Sequence, residues 1–197
     1  MISFTTGEIQ LSHSKYILSP SLDRLNFEKT FPNKIINYYD SHTGCYHYCV
    51  ACDIRKNEYI KTSICFHNQV MWYINFFPQN SARNMQSLEI VPIDNYYEVA
   101  YPACKKWYKT IFSADTAPLV PLVFPWGIVK IIPGDPKDTL FQPHISMDYY
   151  GVCDLCGKKE LLFPNRIEDD RGVRCGRLCK SCQEKANQFR MISGNPR

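Results

Sequence analysis

Five of the ten cysteines of this 197-residue chain fall between residues 153 and 182, in CDLCGKKELLFPNRIEDDRGVRCGRLCKSC. Cys153 and Cys156 form a Cys-x-x-Cys pair followed by Gly157, and Cys179 and Cys182 form a second, leading into the helix-favouring run QEKANQF. Twenty-two residues separate the pairs. Two thiolates on a tight turn, and two more at a helix start, can surround one ion. Glycine after the second cysteine supplies the left-handed backbone that the turn needs. Thiolate sulfur selects zinc over hard cations. The expected site is a four-cysteine zinc centre of Cys153, Cys156, Cys179 and Cys182. Cys175, four residues before Cys179, is the spare and is read as a small apolar side chain beside the site.

Knuckle, hairpin and ligand-bearing helix together resemble a treble-clef zinc finger, of the kind seen in GATA-type fingers and in His-Asn-His nucleases. Cutting is excluded on this chain's own residues. A nuclease of that kind needs histidines near its finger to hold a catalytic metal. The five histidines are His13, His42, His47, His67 and His144, and none follows residue 144.

Reading nucleic acid is the rival use. Residues 151–197 carry ten Lys and Arg against six Asp and Glu, so the whole net charge of +4 sits there. Arg166, Arg171, Arg174, Arg177, Lys180 and Arg190 are the candidate phosphate contacts. Four thiolates around Zn²⁺ would take two charges back. Glu168, Asp169 and Asp170 lie among the basic residues, and no aromatics are interleaved with them. A structural or protein-contacting finger is therefore the preferred reading. A tail of under fifty residues buries little core, so metal binding would supply its folding energy.

A second cysteine group, Cys45, His47, Cys49 and Cys52, repeats the knuckle spacing without its glycine. In a strand Cys49 and Cys52 would face opposite ways. Cys45, His47 and Cys49 would share a face, so an ion held with Cys65 or Cys104 is the alternative to plain core cysteines. No nucleophile with a paired base, phosphate-cradling glycine loop or carboxylate pair is evident, and the chain reads as non-enzymatic.

The elements before residue 150 must carry this tail. At 45% hydrophobic and 14% aromatic the chain can build a real core. CYHYCVACDI, YIKTSICF and VMWYINFF, linked by RKNE and HNQ, read as an antiparallel meander. ISFTTGEIQL reads as a strand bent at Gly7. Ser21 is the expected cap of a short helix bearing Leu22, Leu25 and Phe27. Pro102 suits the first turn of PACKKWYKTIF, whose Cys104, Trp107, Tyr108, Ile111 and Phe112 recur at helical spacing, although residues 94–101 could extend it with a kink. FPWGIVKII and LFQPHISMDYY add two strands around the turn PGDPKD, framed by Asp135 and Asp138. Trp72, Trp107 and Trp126 are expected in the core, and His144 on a solvent-facing strand position. The fold class is α+β: an antiparallel sheet of five or more strands with about two helices over residues 1–150, and a small zinc finger with a C-terminal helix over 151–197.

The order of TGEIQL, YILSPSLDRLNFEKT, the KKWY helix and FPWGIVKIIPGDPK…HISMDYY resembles a group of small bacterial α+β proteins, some of them immunity partners of toxins. That resemblance implies a protein partner and carries no catalytic residues. The N-terminus lacks the pattern of an export signal. The most apolar window, APLVPLVFPWGIV, is thirteen residues long and broken by three prolines, so no membrane span is expected. Unpaired thiols in such a chain point to a reducing, cytoplasmic setting.

Overall fold

The structure, a computed structural model, describes residues 2–10, 17–31, 36–41, 43–55, 58–78, 96–112, 120–135, 137, 142–169 and 172–192. Three helices and a seven-stranded antiparallel sheet make up most of it, mainly β with some helix. Two short strands come first, β1 (Ile9–Gln10) and β2 (Ile17–Leu18), paired with each other. Before them the chain does not run as one bent strand. It folds back, with Ile2 bridged to Ile9 and Gly7 N–H donating to Ser3 O at 2.9 Å. Gly7 sits at φ +72°, and a Cβ there would lie 2.6 Å from the Trp126 ring. Glycine is needed for both reasons.

Helix α1 (Arg24–Thr30) begins two residues later than expected. Asp23, not Ser21, is its cap and accepts from Asn26 N–H at 2.9 Å. Both residue types cap well. Asp23 prevails because its backbone is bridged to Val70, while Arg24 N–H donates to Gln69 O. Phe27 is the helix's buried side chain, whereas Leu25 is exposed.

The large sheet is built from β3 (Ile36–Asp40), β4 (Cys45–Arg55), β5 (Glu58–His67), β6 (Val70–Pro78), β7 (Leu122–Phe124), β8 (Gly127–Ile132) and β9 (His144–Tyr149). Its order is β3-β4-β5-β6-β9-β8-β7. In RKNE, Lys56 and Asn57 lie outside the described residues, as do Pro136 and Asp138 in PGDPKD; the expected turn shows in Gly134 at φ +75° and in Lys137 N–H donating to Asp135 Oδ1 at 2.9 Å. Helix α2 (Tyr96–Phe112) lies between β6 and β7 in sequence and holds Pro102 in its interior, not its first turn. It packs on β6, β9 and β8.

Strand alternation gives the sheet two faces. One buries Tyr48, Val50, Ile64, Phe66, Ile74, Phe76, Val129, Ile131, Ile145 and Met147 under Phe27 of α1 and Cys104, Tyr108 and Phe112 of α2. Trp126 belongs to this core and Trp107 packs against it, as the sequence suggests. The other face carries a row running His47, Cys65, Tyr73 and Asp148 across β4, β5, β6 and β9, and a second of Cys49, Ser63, Asn75 and Ser146. His144, on the same face, is only half exposed, with its ring 5.1 Å from that of Phe77. Burial lowers its pKa.

The ladder between β5 and β6 slips at one point. Cys65 pairs with Tyr73 but Phe66 pairs with Met71, so Trp72 has no residue opposite it. Such a bulge re-aims a side chain. Trp72 leaves the expected core and turns toward the C-terminal segment.

Candidate metal centre

After Tyr150 the chain forms β10 (Gly151–Val152) and β11 (Lys159–Glu160), a two-stranded pair closed by the first Cys-x-x-Cys turn. Gly157 N–H donates to Cys153 O at 3.0 Å, and Cys153 N–H to Lys158 O at 2.9 Å. Gly157 takes φ +72° with open space around it, so the left-handed backbone alone calls for glycine there. A longer hairpin follows, β12 (Leu162–Asp169) with β13 (Gly172–Cys179), and then helix α3 (Lys180–Ile192). Cys179 ends the hairpin and Cys182 lies in the first turn of α3.

These elements bring together all four predicted ligands. The sulfurs of Cys153, Cys156, Cys179 and Cys182 lie within 4.8 Å of one another, the one such cluster among the described residues. Cys156 and Cys179 are 3.6 Å apart. Tetrahedral zinc with Zn–S near 2.3 Å requires sulfur–sulfur separations of about 3.8 Å. The Cys156–Cys179 pair already has about that spacing, and no pair of the four exceeds 4.8 Å. Leu162, Leu178, Cys153 and Cys179 form a small buried core beneath it, with Ala186 against them.

The surroundings favour charged sulfur at Cys179 and Cys153. The Ser181 hydroxyl, 3.3 Å away, and then the Cys182 N–H hold Cys179 down to about 6. Burial pushes the Cys153 thiol up, but backbone N–H groups of Cys179, Cys156 and Leu155 outweigh it, and its pKa is lowered. Cys179 N–H reaches Cys153 Sγ at 3.3 Å. Cys182 is pushed up to about 12 because its S–H donates to Cys179 and Cys156. Four thiolates must form to hold zinc, so binding expels protons. Affinity should rise with pH, and fall more steeply below about pH 6, where Cys179 also takes up a proton. Competition titrations with a chromophoric chelator at several pH values would check this; a flat profile would contradict it.

Cys175 is not in the cluster. Its Cβ would meet a Cβ placed on Gly44 at 2.8 Å, and its Sγ lies 3.9 Å from Ser41 O. The second cysteine group does not assemble into a four-ligand site either. Cys45, His47 and Cys49 share the outer sheet face with Cys65, but Cys104 lies in the core on the opposite side. No group drawn from them meets the spacing of a metal cluster among the described residues. Cys52 belongs to the same unbroken strand, and its side chain is outside the described set.

Of the basic residues named for phosphate contact, Arg177 is half-buried and its backbone N–H donates to Asp154 Oδ2 at 2.6 Å, which ties hairpin to knuckle. Lys180 is exposed at the start of α3. Arg166 and Arg174 occupy facing strands and Arg190 lies on α3. Their side chains, and all of Arg171, fall outside the described residues.

Local pattern could not reveal how this segment meets the sheet. Trp72 Nε1–H donates to Leu162 O at 3.0 Å. Ser181 and the Cys182 N–H, which support Cys179, are close in sequence within LCKSC and were not singled out by the ligand spacing.

Fold and site together define a mainly antiparallel β protein with some helix and a C-terminal four-cysteine cluster fit to hold a metal ion. Compared with protein-family models, curated proteins and solved structures, the chain matches none. No helix among the described residues is long and apolar enough to cross a membrane.

Proposed function

We propose that this is a non-enzymatic zinc protein that works by binding another protein. Cys153, Cys156, Cys179 and Cys182 hold one zinc ion in a treble-clef finger. The observation that carries the reading is the convergence of four sulfurs, two from a glycine-closed turn and two from a strand end and helix start, within 4.8 Å. Sulfur-only coordination favours zinc and leaves no position open for substrate, which is the pattern of a structural site.

A protein partner is supported by the apolar side chains that the finger and the edge strand expose. Val152, Leu155 and Phe163 project from the finger, and Tyr38 and Tyr39 from β3. The partner class implied by the resemblance of residues 2–150 is a toxin, with this chain as its immunity-type neutraliser in a bacterial cytoplasm; that step is an analogy of fold pattern. Nucleic-acid binding stands behind it, because Glu168 and Asp169 lie on the same hairpin as Arg166 and Arg174 and offset their charge.

The test is metal content by elemental mass spectrometry on protein purified without added zinc or chelator. About one zinc per chain is expected, lost in Cys153→Ser. A chain without zinc would overturn the metal reading. Salt-sensitive binding to random duplex DNA would replace the protein-partner reading with the regulatory one.

A further inference from the structure

The finger is docked on the sheet, and the docking passes through a residue of the metal centre. The carbonyl of Leu162 accepts the Trp72 indole N–H at 3.0 Å. The same residue pairs with Cys179 across the hairpin, and its side chain lies in the small core with Cys153 and Cys179. A second contact joins Cys175 to Gly44 and Ser41 in the β3–β4 turn. Beneath this seam lie Cys45, Cys65 and His67, exposed by 1%, 0% and 2%. They sit on the outer sheet face, away from the helix-covered core, and Arg177 of the finger stands close enough to bear on both Cys45 and His67, while Gly44 lies between His67 and Cys175.

The seam is not finished like a permanent core. His67 Nε2 and Arg177 Nε are buried without a hydrogen-bond partner in the structure. Buried donors and acceptors left unmatched weaken the face that holds them. Cys45 and Cys65 lie diagonally across β4 and β5. Cys65 donates its S–H to Cys45, which lowers the Cys45 pKa and raises that of Cys65.

We propose that the metal centre is the latch of this seam: with zinc bound, Leu162 is held where Trp72 can grip it and the finger covers the Cys45–Cys65 thiol pair; without zinc the finger lifts and the pair is uncovered. The inference rests on the four-cysteine site holding zinc. The physical link is Leu162, whose backbone faces the sheet while its side chain depends on the ligands being gathered. A thiol pair whose cover depends on the metal would make zinc loss legible as cysteine reactivity.

The experiment uses the full chain, with and without chelator. Maleimide labelling of individual cysteines is followed over time by peptide mass spectrometry. Cys104, on the opposite face in the main core, reports global opening. Zinc removal should speed labelling of Cys45 and Cys65 by at least about ten-fold, the factor carried by a lost hydrogen bond of about 1.4 kcal/mol. Cys104 should stay protected. Trp72→Phe should retain the zinc stoichiometry of the parent and still show faster labelling of the pair. Unchanged labelling after zinc is lost overturns the latch, as does Trp72→Phe with zinc bound and the pair still covered. Labelling of Cys104 at the rate of Cys45 also overturns it, since the whole fold has then opened. A protein that never binds zinc fails at the stoichiometry step, which identifies the metal reading as the fault.

Discussion

Replacing Cys179 with serine is expected to leave residues 151–192 unfolded at neutral pH while the seven-stranded sheet survives. Three observations set the size of the effect. The C-terminal segment's own core holds two large apolar side chains, Leu162 and Leu178, beside Cys153 and Cys179, two of the proposed ligands. Burying two leucines contributes about 3–6 kcal/mol, whereas each ordered residue costs ~1–2 kcal/mol in backbone entropy. Structural zinc supplies about 10–16 kcal/mol to comparable fingers at neutral pH. On the proposed zinc reading, losing Cys179, which lies 3.6 Å from Cys156 and donates its N–H to Cys153 Sγ, removes the largest stabilising contribution. Hydrogen exchange should show amides of β10 to α3 exchanging freely in Cys179→Ser and protected in the parent, with β4–β6 unchanged in both. A protected tail in the variant would show that docking through Trp72 and Cys175 holds the finger without metal.

The four-cysteine cluster was legible because its spacing is local. Ligand spacing, Gly157 and the helix-forming run after Cys182 all act within a few residues, so the sequence pattern carries them. Strand alternation was equally readable through CYHYCV, whose odd and even positions separate onto the two faces as period two demands. The departures from expectation have a common origin in long-range contacts. Ser21 and Asp23 are comparable caps, and the bridge from Asp23 to Val70, far along the chain, decides between them. ISFTTGEIQL folds back because Trp126 Nε1–H and Tyr149 O–H reach Phe4 O and Gly7 O at 2.9 and 3.1 Å from distant strands. Trp72 leaves the core through a bulge that no residue in VMWYINFF announces, and its partner lies ninety positions away in sequence. Pro102 is tolerated inside α2 because the helix is held by burial of Ala100, Cys104, Tyr108 and Phe112 on the sheet, which outweighs one missing backbone bond.

Phe27→Ala should be the most damaging single change in the main core, at a cost of about 3–5 kcal/mol. Helix α1 has seven residues, too few to stand without tertiary support. Phe27 is fully buried, with ring centroids 4.9, 5.2 and 5.3 Å from those of Phe31, Tyr48 and Phe66. It is the anchor that seats the helix on β4 and β5. The remaining ties are polar and lie at the rim: Arg24 pairs with Glu28 at 2.8 Å and stacks 4.0 Å over the Tyr46 ring, while Tyr48 O–H donates to Glu28. The ion pair is part-buried, its side chains 16% and 32% exposed, and ties of this kind contribute on the order of 1 kcal/mol each, too little to hold α1 once the anchor is gone. Phe27→Leu keeps most of the volume and should cost under about 1.5 kcal/mol. Urea unfolding of both variants against the parent measures the difference, and metal content should be unchanged in each, because Phe27 packs on Phe31, Tyr48 and Phe66 and none of the four clustered cysteines is among its ring neighbours. A loss below about 1 kcal/mol for Phe27→Ala would mean that the helix is held by its rim, and would move the weight of the fold from the aromatic cluster to the Arg24–Glu28–Tyr48 network.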